Sequence, residues 1–155
     1  MIAVRELKKE DISQLINLHA EFLKDQYGRN KYSKGNFKVN KYSEYYEKII
    51  NSDRCKIFVG VDGNIVAGFS AVSINEPGFF FEFDKYGYMY DGFVNKKYRT
   101  TMLSFNLYNA CEKWAKEQGC KYITAYAYNF NKKVQTCFKA KKMEPYKITY
   151  IKELI

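Results

Sequence analysis

The sequence is poor in the residues that build metal and disulfide sites: it has one histidine, and its four cysteines form no CxxC pair. Cys55, Cys111, Cys120 and Cys137 are far apart, so we expect reduced thiols and no metal site. No apolar run approaches the roughly 18 residues of a membrane span, and charges begin at Arg5, which predicts neither a membrane segment nor a signal peptide. The expected location is the cytoplasm.

Acidic residues are also scarce, with 17 Asp and Glu against 26 Lys and Arg and a net charge of +9. A basic surface attracts polyanions such as nucleic acid or a phosphorylated cofactor. The segment 24–42 is the most one-sided, with six Lys and Arg and the single acid Asp25. We expect weak, salt-sensitive nucleic-acid binding without sequence preference, and a basic nucleic-acid-binding module stays open as an interpretation.

What the sequence does contain is the hydrophobic content and patterning of one globular domain over residues 1–155. Apolar periodicity and turn residues predict ten elements. In chain order these are a strand at 2–7, a helix from Lys9, a loop at 25–43, a helix at 43–50, a hairpin at 56–74 turning at Asp62-Gly63, a strand at 86–94, a helix ended by Gly119, a strand at 121–128, a helix capped by Asn131 and a strand at 147–151. The order β-α-α-β-β-β-α-β-α-β predicts an α/β fold, with a mixed, twisted sheet of about six strands and helices on both faces.

The single histidine falls on the apolar stripe of the first predicted helix. His19 shares that stripe with Leu15 and Phe22 at helical spacing. A histidine on an apolar face is more often packed in the core than used as a ligand, so we expect a core role.

Three quoted stretches resemble the GNAT acetyltransferase superfamily. They are "DGFVNKKYRTTMLS" after a strand, "WAKEQGC" before a strand, and "NKKVQTCFKAKKM" near the end. The resemblance covers nearly the whole chain, is best from Asp62 to Tyr150, and is that of a divergent member. It implies the GNAT-type acyl-CoA N-acyltransferase fold. It also implies acetyl-CoA-dependent transfer of an acetyl group to a primary amine of a small molecule.

The resemblance implies that the turn before the long helix binds the pyrophosphate of acetyl-CoA through its backbone N–H groups. Met102 and Ser104 stand where this turn usually has glycine, yet every residue except proline still offers an N–H donor. Lys96 and Lys97 add positive charge just before the turn. The cofactor-binding residues implied are Val94, Arg99, Thr100, Thr101, Met102, Leu103, Ser104, Asn131 and Phe138.

On the acceptor side, the resemblance implies an acid near the end of the strand before this turn. Asp91 matches that position and is the candidate catalytic base, although a structural role at a strand bulge is equally consistent with the sequence. The candidate substrate-binding residues are Tyr88, Tyr90, Glu82 and Asp84. The positive segment 24–42 favours an amine that carries a carboxylate or phosphate over a polyamine, because like charges repel.

The family's usual proton donor to the departing thiolate is missing. Phe138 matches the position of that tyrosine and has no proton to donate. Cys137, Tyr126, Tyr128 and Tyr146 are open alternatives. A second interpretation is therefore a catalytically impaired GNAT-fold protein that binds CoA or a partner, and a homodimer is left open.

Overall fold

The computed structural model describes residues 1–34 and 41–155. Its five strands are β1 (Ile2–Glu6), β2 (Cys55–Asp62), β3 (Ile65–Asn75), β4 (Tyr86–Val94) and β5 (Ile123–Ala125). Its four α-helices are α1 (Ile12–Gly28), α2 (Tyr42–Ile50), α3 (Leu103–Glu117) and α4 (Lys132–Ala140). The strands form one sheet in the order β1-β2-β3-β4-β5, antiparallel from β1 to β4 and parallel between β4 and β5.

The sheet is covered on both faces, as the sequence predicts, because its strands alternate between two apolar cores. Ile57 and Val59 join the core formed with α1 and α2. Phe58, between them, joins the opposite core formed with α3, which includes Leu107 and Trp114. Successive side chains of a strand point to opposite faces, so one short run of β2 supplies both cores.

The start of α3 lies against the sheet at a place where two strands carry glycine. Gly60 and Gly68 face each other across β2 and β3. A Cβ on Gly60 would overlap the side chain of Leu103, which is only 1% exposed. Because both glycines lack a side chain, Leu103 packs directly on the backbone of the sheet. This contact fixes where the helix begins relative to β4.

Several boundaries differ from the sequence prediction. Helix α1 continues to Gly28, so the first residues of the predicted loop are helical, while residues 35–40 of that loop lie outside the described part. Only Ile123–Ala125 of the predicted strand 121–128 is paired. The predicted strand 147–151 is wrong for this chain alone, because those residues have no sheet partner and are exposed. The predicted turn at Gly63 and helix end at Gly119 are confirmed, and both glycines have positive φ, of 58° and 77°.

His19 is a core residue, as predicted. It is 3% exposed, stacks on Phe69 and shares a hydrogen bond through Nδ1 with the hydroxyl of Tyr46. Burial lowers the pKa of His19 to about 4, which keeps the ring neutral near pH 7. All four cysteines carry free thiols. Within residues 1–34 and 41–155 no helix has both the length and the apolar character needed to cross a membrane.

Candidate active site

A bulge in β4 places two consecutive side chains on the same face of the sheet. Ala71 pairs with Asp91 and Val72 pairs with Met89, so Tyr90 is the extra residue. Tyr90 and Phe93 pack on the core of α1 and α2, whereas Met89 packs on the α3 side. Because Asp91 is two residues from Phe93, it shares that face, and the bulge turns Tyr90 and Asp91 together toward α1 and α2.

The Asp91 carboxylate is half-buried and has no polar partner. No hydrogen bond or ion pair reaches its side chain from the part of the chain that the structure describes. Burial raises the pKa of Asp91 to about 6, because removing water disfavours the charged form. A purely structural aspartate at a bulge would bond to backbone N–H groups, and the absence of such bonds sets this side chain apart.

Tyrosines from three different elements surround this carboxylate. Burial, followed by the negative charge of Asp91, raises the pKa of Tyr42 on α2, of Tyr88 on β4 and of Tyr126 just after β5. The rings of Tyr88 and Tyr126 lie 6.4 Å apart between centroids. Raised pKa values keep these hydroxyls protonated, so the walls of the site are uncharged and able to donate hydrogen bonds.

Two further pairs of tyrosines link the elements around the site. The hydroxyls of Tyr45 and Tyr90 lie 2.9 Å apart in a hydrogen bond between α2 and β4. Tyr27, near the end of α1, packs edge-on against Tyr128, with 6.4 Å between ring centroids. The hydroxyl of Tyr90, predicted to contact the substrate, is thus engaged with Tyr45, and the substrate contact stays a prediction.

Near Asp91, strands β4 and β5 stop pairing. Strands β4 and β5 pair only from Gly87 to Met89, opposite Ile123 to Ala125. Beyond Met89, that edge of β4 has no strand partner among the described residues, and Gly92 is exposed. The unpaired backbone groups of this edge are available to an extended ligand, in the way that a peptide pairs with a free sheet edge.

The open edge leads directly to the start of α3, where backbone donors remain free. Among the described residues no hydrogen bond uses the backbone N–H groups of Thr100, Met102 or Ser104. The helix begins at Leu103 without a side-chain cap on Met102. None of these residues has a positive φ, so the turn takes its shape without glycine. Free N–H groups and the helix dipole together form a site for an anion.

The Acetyltransferase (GNAT) family matches residues 15–141 of the sequence. The chain belongs to this family. The fold agrees with solved structures at low identity: the aminoglycoside N-acetyltransferase AAC(6')-Iy in complex with CoA is 15% identical, with a TM-score of 0.80 over 100% of this chain and 96% of that one. An aminoglycoside acetyltransferase from an uncultured soil metagenomic sample, solved with sisomicin, is 17% identical, with a TM-score of 0.71 over 99% and 97%.

A transcriptional regulator from Bacillus halodurans also shares the fold, at 15% identity and a TM-score of 0.79 over 99% of this chain and 100% of that one. No curated protein matches the sequence. At these identities the solved structures establish the GNAT fold and leave the substrate to be inferred from the site itself.

Three residues of the turn before α3 have partners within the chain. The Arg99 guanidinium donates through Nε to the Val94 carbonyl at 2.9 Å, stacks over Phe93 and approaches Asp25. The Leu103 N–H donates to Thr101 Oγ1 at 3.2 Å. Arg99, Thr101 and Leu103 therefore have contacts within the turn itself, and their assignment as cofactor ligands stays a prediction.

The acids Glu82 and Asp84 lie away from Asp91. They belong to the segment before β4, where Phe83 packs on Tyr122 with ring centroids 4.8 Å apart. Asp91 is five residues further along β4 from Tyr86, about 16 Å at the usual rise per residue. Both acids are exposed, and the structure does not bring them into the site.

The remaining predicted cofactor residues lie at α4 and at the end of β4. Asn131 caps this helix, its side chain accepting from the Val134 N–H at 3.4 Å, as the sequence predicts. Phe138 is half-buried on the same helix, and Val94 is buried at the end of β4. Of the alternative proton donors, Tyr146 is exposed beyond α4, whereas Tyr126 faces Asp91. The described residues contain no group of three or more potential metal ligands.

Sequence reasoning missed the tyrosines contributed by the first two helices. Tyr27, Tyr42 and Tyr45 lie next to a core stripe in the sequence, where an aromatic residue reads as packing. Tyr27 lies in a segment that the sequence predicts to be a loop, so its position on helix α1 could not be predicted either. The available signal was the clustering of "YSEYY", three tyrosines within one and a half turns of a predicted helix.

Proposed function

We propose that this GNAT protein is an acetyl-CoA-dependent N-acetyltransferase that acetylates the primary amine of a small molecule. One observation carries the proposal. A single strand, β4, presents the unpaired Asp91 carboxylate beside an open edge and then leads into a helix start with free N–H groups. A candidate base, an unpaired strand edge and a candidate anion site thus follow one another along one continuous segment.

The helix start fits the pyrophosphate of CoA. The N–H groups of Thr100, Met102 and Ser104 lie at the positive end of the α3 dipole, where a phosphate is stabilised. Lys96 and Lys97 are exposed just before the turn and add charge that attracts the phosphates. The Met102 side chain is 62% exposed, so it extends into solvent and is not packed in the core.

The open edge of β4 fits the amide-containing arm of the same molecule. Its backbone groups lie between the anion site and Asp91, and Gly92 leaves the edge uncrowded there. An extended ligand that binds this edge would bring its acyl end beside Asp91 and its neighbouring tyrosines. Acetyl-CoA supplies an activated acetyl thioester at that end.

Asp91 has the properties of a general base for an amine. With a pKa of about 6 it is mostly ionised at pH 7, and it is a stronger base than an ordinary aspartate. It takes a proton from the attacking ammonium, directly or through one water. The uncharged tyrosines Tyr42, Tyr88 and Tyr126 surround the amine and keep competing charges away from it.

Tyr126 is the best-placed residue to protonate the departing sulfur. It directly follows β5, lies close enough to Asp91 for the two groups to interact electrostatically, and is 40% exposed. Phe138 occupies the position of the family's usual donor and can contribute only packing. We assign the donor role to Tyr126 within the proposal.

The acceptor is proposed to be a small primary amine. Two proteins of similar fold are named as aminoglycoside acetyltransferases, and one was solved with CoA, which supports a small-molecule amine and this cosubstrate. The neighbouring tyrosines are neutral and Asp91 is the single carboxylate of the site, so the site offers one negative charge to one amino group. The positive charge of segment 24–42 still favours acceptors that carry an anionic group.

The test is thiol release from acetyl-CoA at saturating amine between pH 5 and 8. We expect the wild-type rate to rise as Asp91 ionises near its pKa of about 6, and Asp91→Asn to lose about 10²–10⁴-fold. The exposed Asp53→Asn variant serves as the control and should match the wild type. Binding of acetyl-CoA without thiol release for any amine would favour the catalytically impaired interpretation.

A further inference from the structure

We infer that the tyrosines around Asp91, called here the tyrosine ring, form an aromatic cage for an alkylated ammonium group. The site would then bind N-methylated amines more tightly than unmethylated ones, and it would acetylate secondary amines. This substrate class rests on the proposed acetyl transfer, whereas the cage itself can be tested without it. The members of the ring are Tyr27, Tyr42, Tyr45, Tyr88, Tyr90, Tyr126 and Tyr128.

The tyrosine ring is a continuous series of contacts that begins on α2 and crosses to the sheet. Tyr42 packs on Tyr45, with 6.2 Å between ring centroids. Tyr45 shares its hydrogen bond with the hydroxyl of Tyr90 on β4. Tyr90 packs on Tyr88 of the same strand, also at 6.2 Å, because the bulge turns Tyr90 out of the usual alternation.

From β4 the series continues past β5 and returns to α1. Tyr88 packs on Tyr126 at 6.4 Å, and Tyr126 packs on Tyr128 at 5.9 Å. Tyr128 packs edge-on against Tyr27 at 6.4 Å. Burial is the main cause that raises the pKa of Tyr27, and Tyr42 is among the smaller causes, so the last member lies near the first.

Asp91 is the common neighbour of these rings. Burial, with the charge of Asp91 among the further causes, raises the pKa of Tyr27, Tyr42, Tyr45, Tyr88, Tyr90 and Tyr126. One carboxylate therefore acts on rings from α1, α2, β4 and the segment after β5. Because the raised pKa values keep the hydroxyls protonated, the rings add electron-rich faces and no charge.

The protein supplies no cation to this carboxylate. The chain has 26 Lys and Arg, yet within residues 1–34 and 41–155 none forms an ion pair with Asp91, and burial alone raises its pKa. Arg99 is directed instead toward Asp25 and Phe93. A half-buried carboxylate among aromatic faces is stabilised by a cation, and here that cation has to come from a ligand.

The chemistry of the ring favours an alkylated ammonium over an unsubstituted one. An –NH₃⁺ group brings three N–H donors, whereas Asp91 has two carboxylate oxygens and the hydroxyls of Tyr45 and Tyr90 already bind each other. N-methyl groups need no acceptor, carry part of the positive charge and contact ring faces. Aromatic cages recognise quaternary ammonium ligands in this way.

A secondary ammonium can bind in the cage and still react. It gives one proton to Asp91, and the nitrogen lone pair then forms the C–N bond to the acetyl carbon while the C–S bond of acetyl-CoA breaks. The proton that remains on nitrogen passes to the departing thiolate, so the products are a tertiary amide and the CoA thiol. A quaternary ammonium has no proton to lose and binds without reacting.

The first test is NMR titration of the full chain at pH 7.5, without acetyl-CoA, with choline and with 3,3-dimethylbutan-1-ol. The alcohol has the shape of choline with carbon in place of the charged nitrogen. We expect choline to bind at least about tenfold more tightly, because only the cation is attracted to the ring faces and to Asp91. Equal binding of the two, or no binding of choline at tens of millimolar, would overturn the inference.

A pair of variants separates the ring face of Tyr88 from its hydroxyl. Tyr88→Phe keeps the face and should bind choline within about twofold of the wild type, whereas Tyr88→Leu should lose about fivefold. Equal losses would contradict the cage. The comparison of choline with the alcohol needs no variant, so it decides the question even if Tyr88→Leu fails to fold.

The second test is thiol release from acetyl-CoA with N-methylbutylamine and with butylamine. The KM of the methylated amine should be at least about threefold lower, and choline should compete with the amine and not with acetyl-CoA. A lower KM for butylamine, or choline that does not compete with the amine, would overturn the inference while acetyl transfer stands. Choline binding without thiol release from any amine would support the cage and contradict the proposed function.

Discussion

Replacing Asp91 by Asn should stabilise this protein while it stops the chemistry. Burial raises the pKa of Asp91 from 3.8 to about 6, so the folded state holds this proton more tightly than the unfolded chain does. As the pH rises through that window, the unfolded chain gives up the proton first. The free energy of unfolding therefore falls with rising pH, and Asp91→Asn removes the loss.

The size of the effect follows from the shift. Two pKa units correspond to about 3 kcal/mol, and water that reaches a half-buried group reduces this to about 1–3 kcal/mol at pH 7. Well below pH 3.8, Asp91 is neutral in both the folded and the unfolded wild type, so the stabilities of the two proteins should converge. The stability gain of the variant should appear between pH 4 and 6 and stay constant above.

His19 must be separated from this effect because it titrates in the same window with the opposite sign. Burial lowers the pKa of His19 to about 4, so stability is lost as the pH falls from 6.5 toward that value. The two groups partly cancel in the wild type. The difference between wild type and Asp91→Asn cancels the His19 contribution and isolates Asp91.

The assay is urea unfolding of both chains at half-unit steps from pH 4 to 8, with the exposed Asp53→Asn as the matched control. We expect a difference that grows with pH and reaches its plateau near pH 6.5. If Asp91→Asn is less stable than the wild type at pH 7, the carboxylate has structural partners and the argument for a free base fails.

Three further outcomes follow from the same structure. Gly60→Ala should cost about 1–3 kcal/mol of stability and weaken acetyl-CoA binding, because the added Cβ displaces Leu103. Gly28→Ala, which has open space around it, should change neither property; thermal unfolding measures the stability and calorimetric titration the binding. Phe138→Tyr should raise turnover, by up to about tenfold, at an unchanged melting temperature if that ring borders the sulfur; a lower melting temperature without a faster rate would place it in the core. In an amine panel that includes an aminoglycoside, anionic amines should outperform spermidine, and the reverse order would contradict the charge argument.

The elements that the sequence predicts well are those whose signal is local. The hairpin at Gly63, the strand Tyr86–Val94 and the helix capped by Asn131 each depend on turn or cap residues within a few positions. The helix end at Gly119 has the same origin. Local chemistry alone selects these conformations, and the structure has them where the sequence places them.

The features that the sequence could not predict depend on distant partners. Strand 147–151 has the right pattern, yet a strand forms only where a neighbour offers its edge. The bulge at Tyr90 arises from pairing with β3, and without it Asp91 and Tyr90 would be assigned to opposite faces. The tyrosines of α1 and α2 meet Asp91 only through tertiary packing, so no spacing in the sequence reveals them.

A single substitution tests whether the free N–H groups at the start of α3 bind the phosphates of acetyl-CoA. Met102 has a φ of −75°, close to that of proline, and its N–H has no partner among the described residues. Met102→Pro therefore removes one proposed phosphate donor at a φ that proline can adopt, while Met102→Gly keeps the N–H and removes the side chain.

Calorimetric titration of acetyl-CoA into the wild type, Met102→Pro and Met102→Gly is the most direct measurement. A hydrogen bond to a charged group contributes about 1.5–3 kcal/mol, so Met102→Pro should bind about 10- to 150-fold more weakly at an unchanged melting temperature. Met102→Gly should bind at least as tightly as the wild type. The account is contradicted if the wild type shows no saturable binding at millimolar acetyl-CoA, or if the proline variant binds as well as the glycine variant.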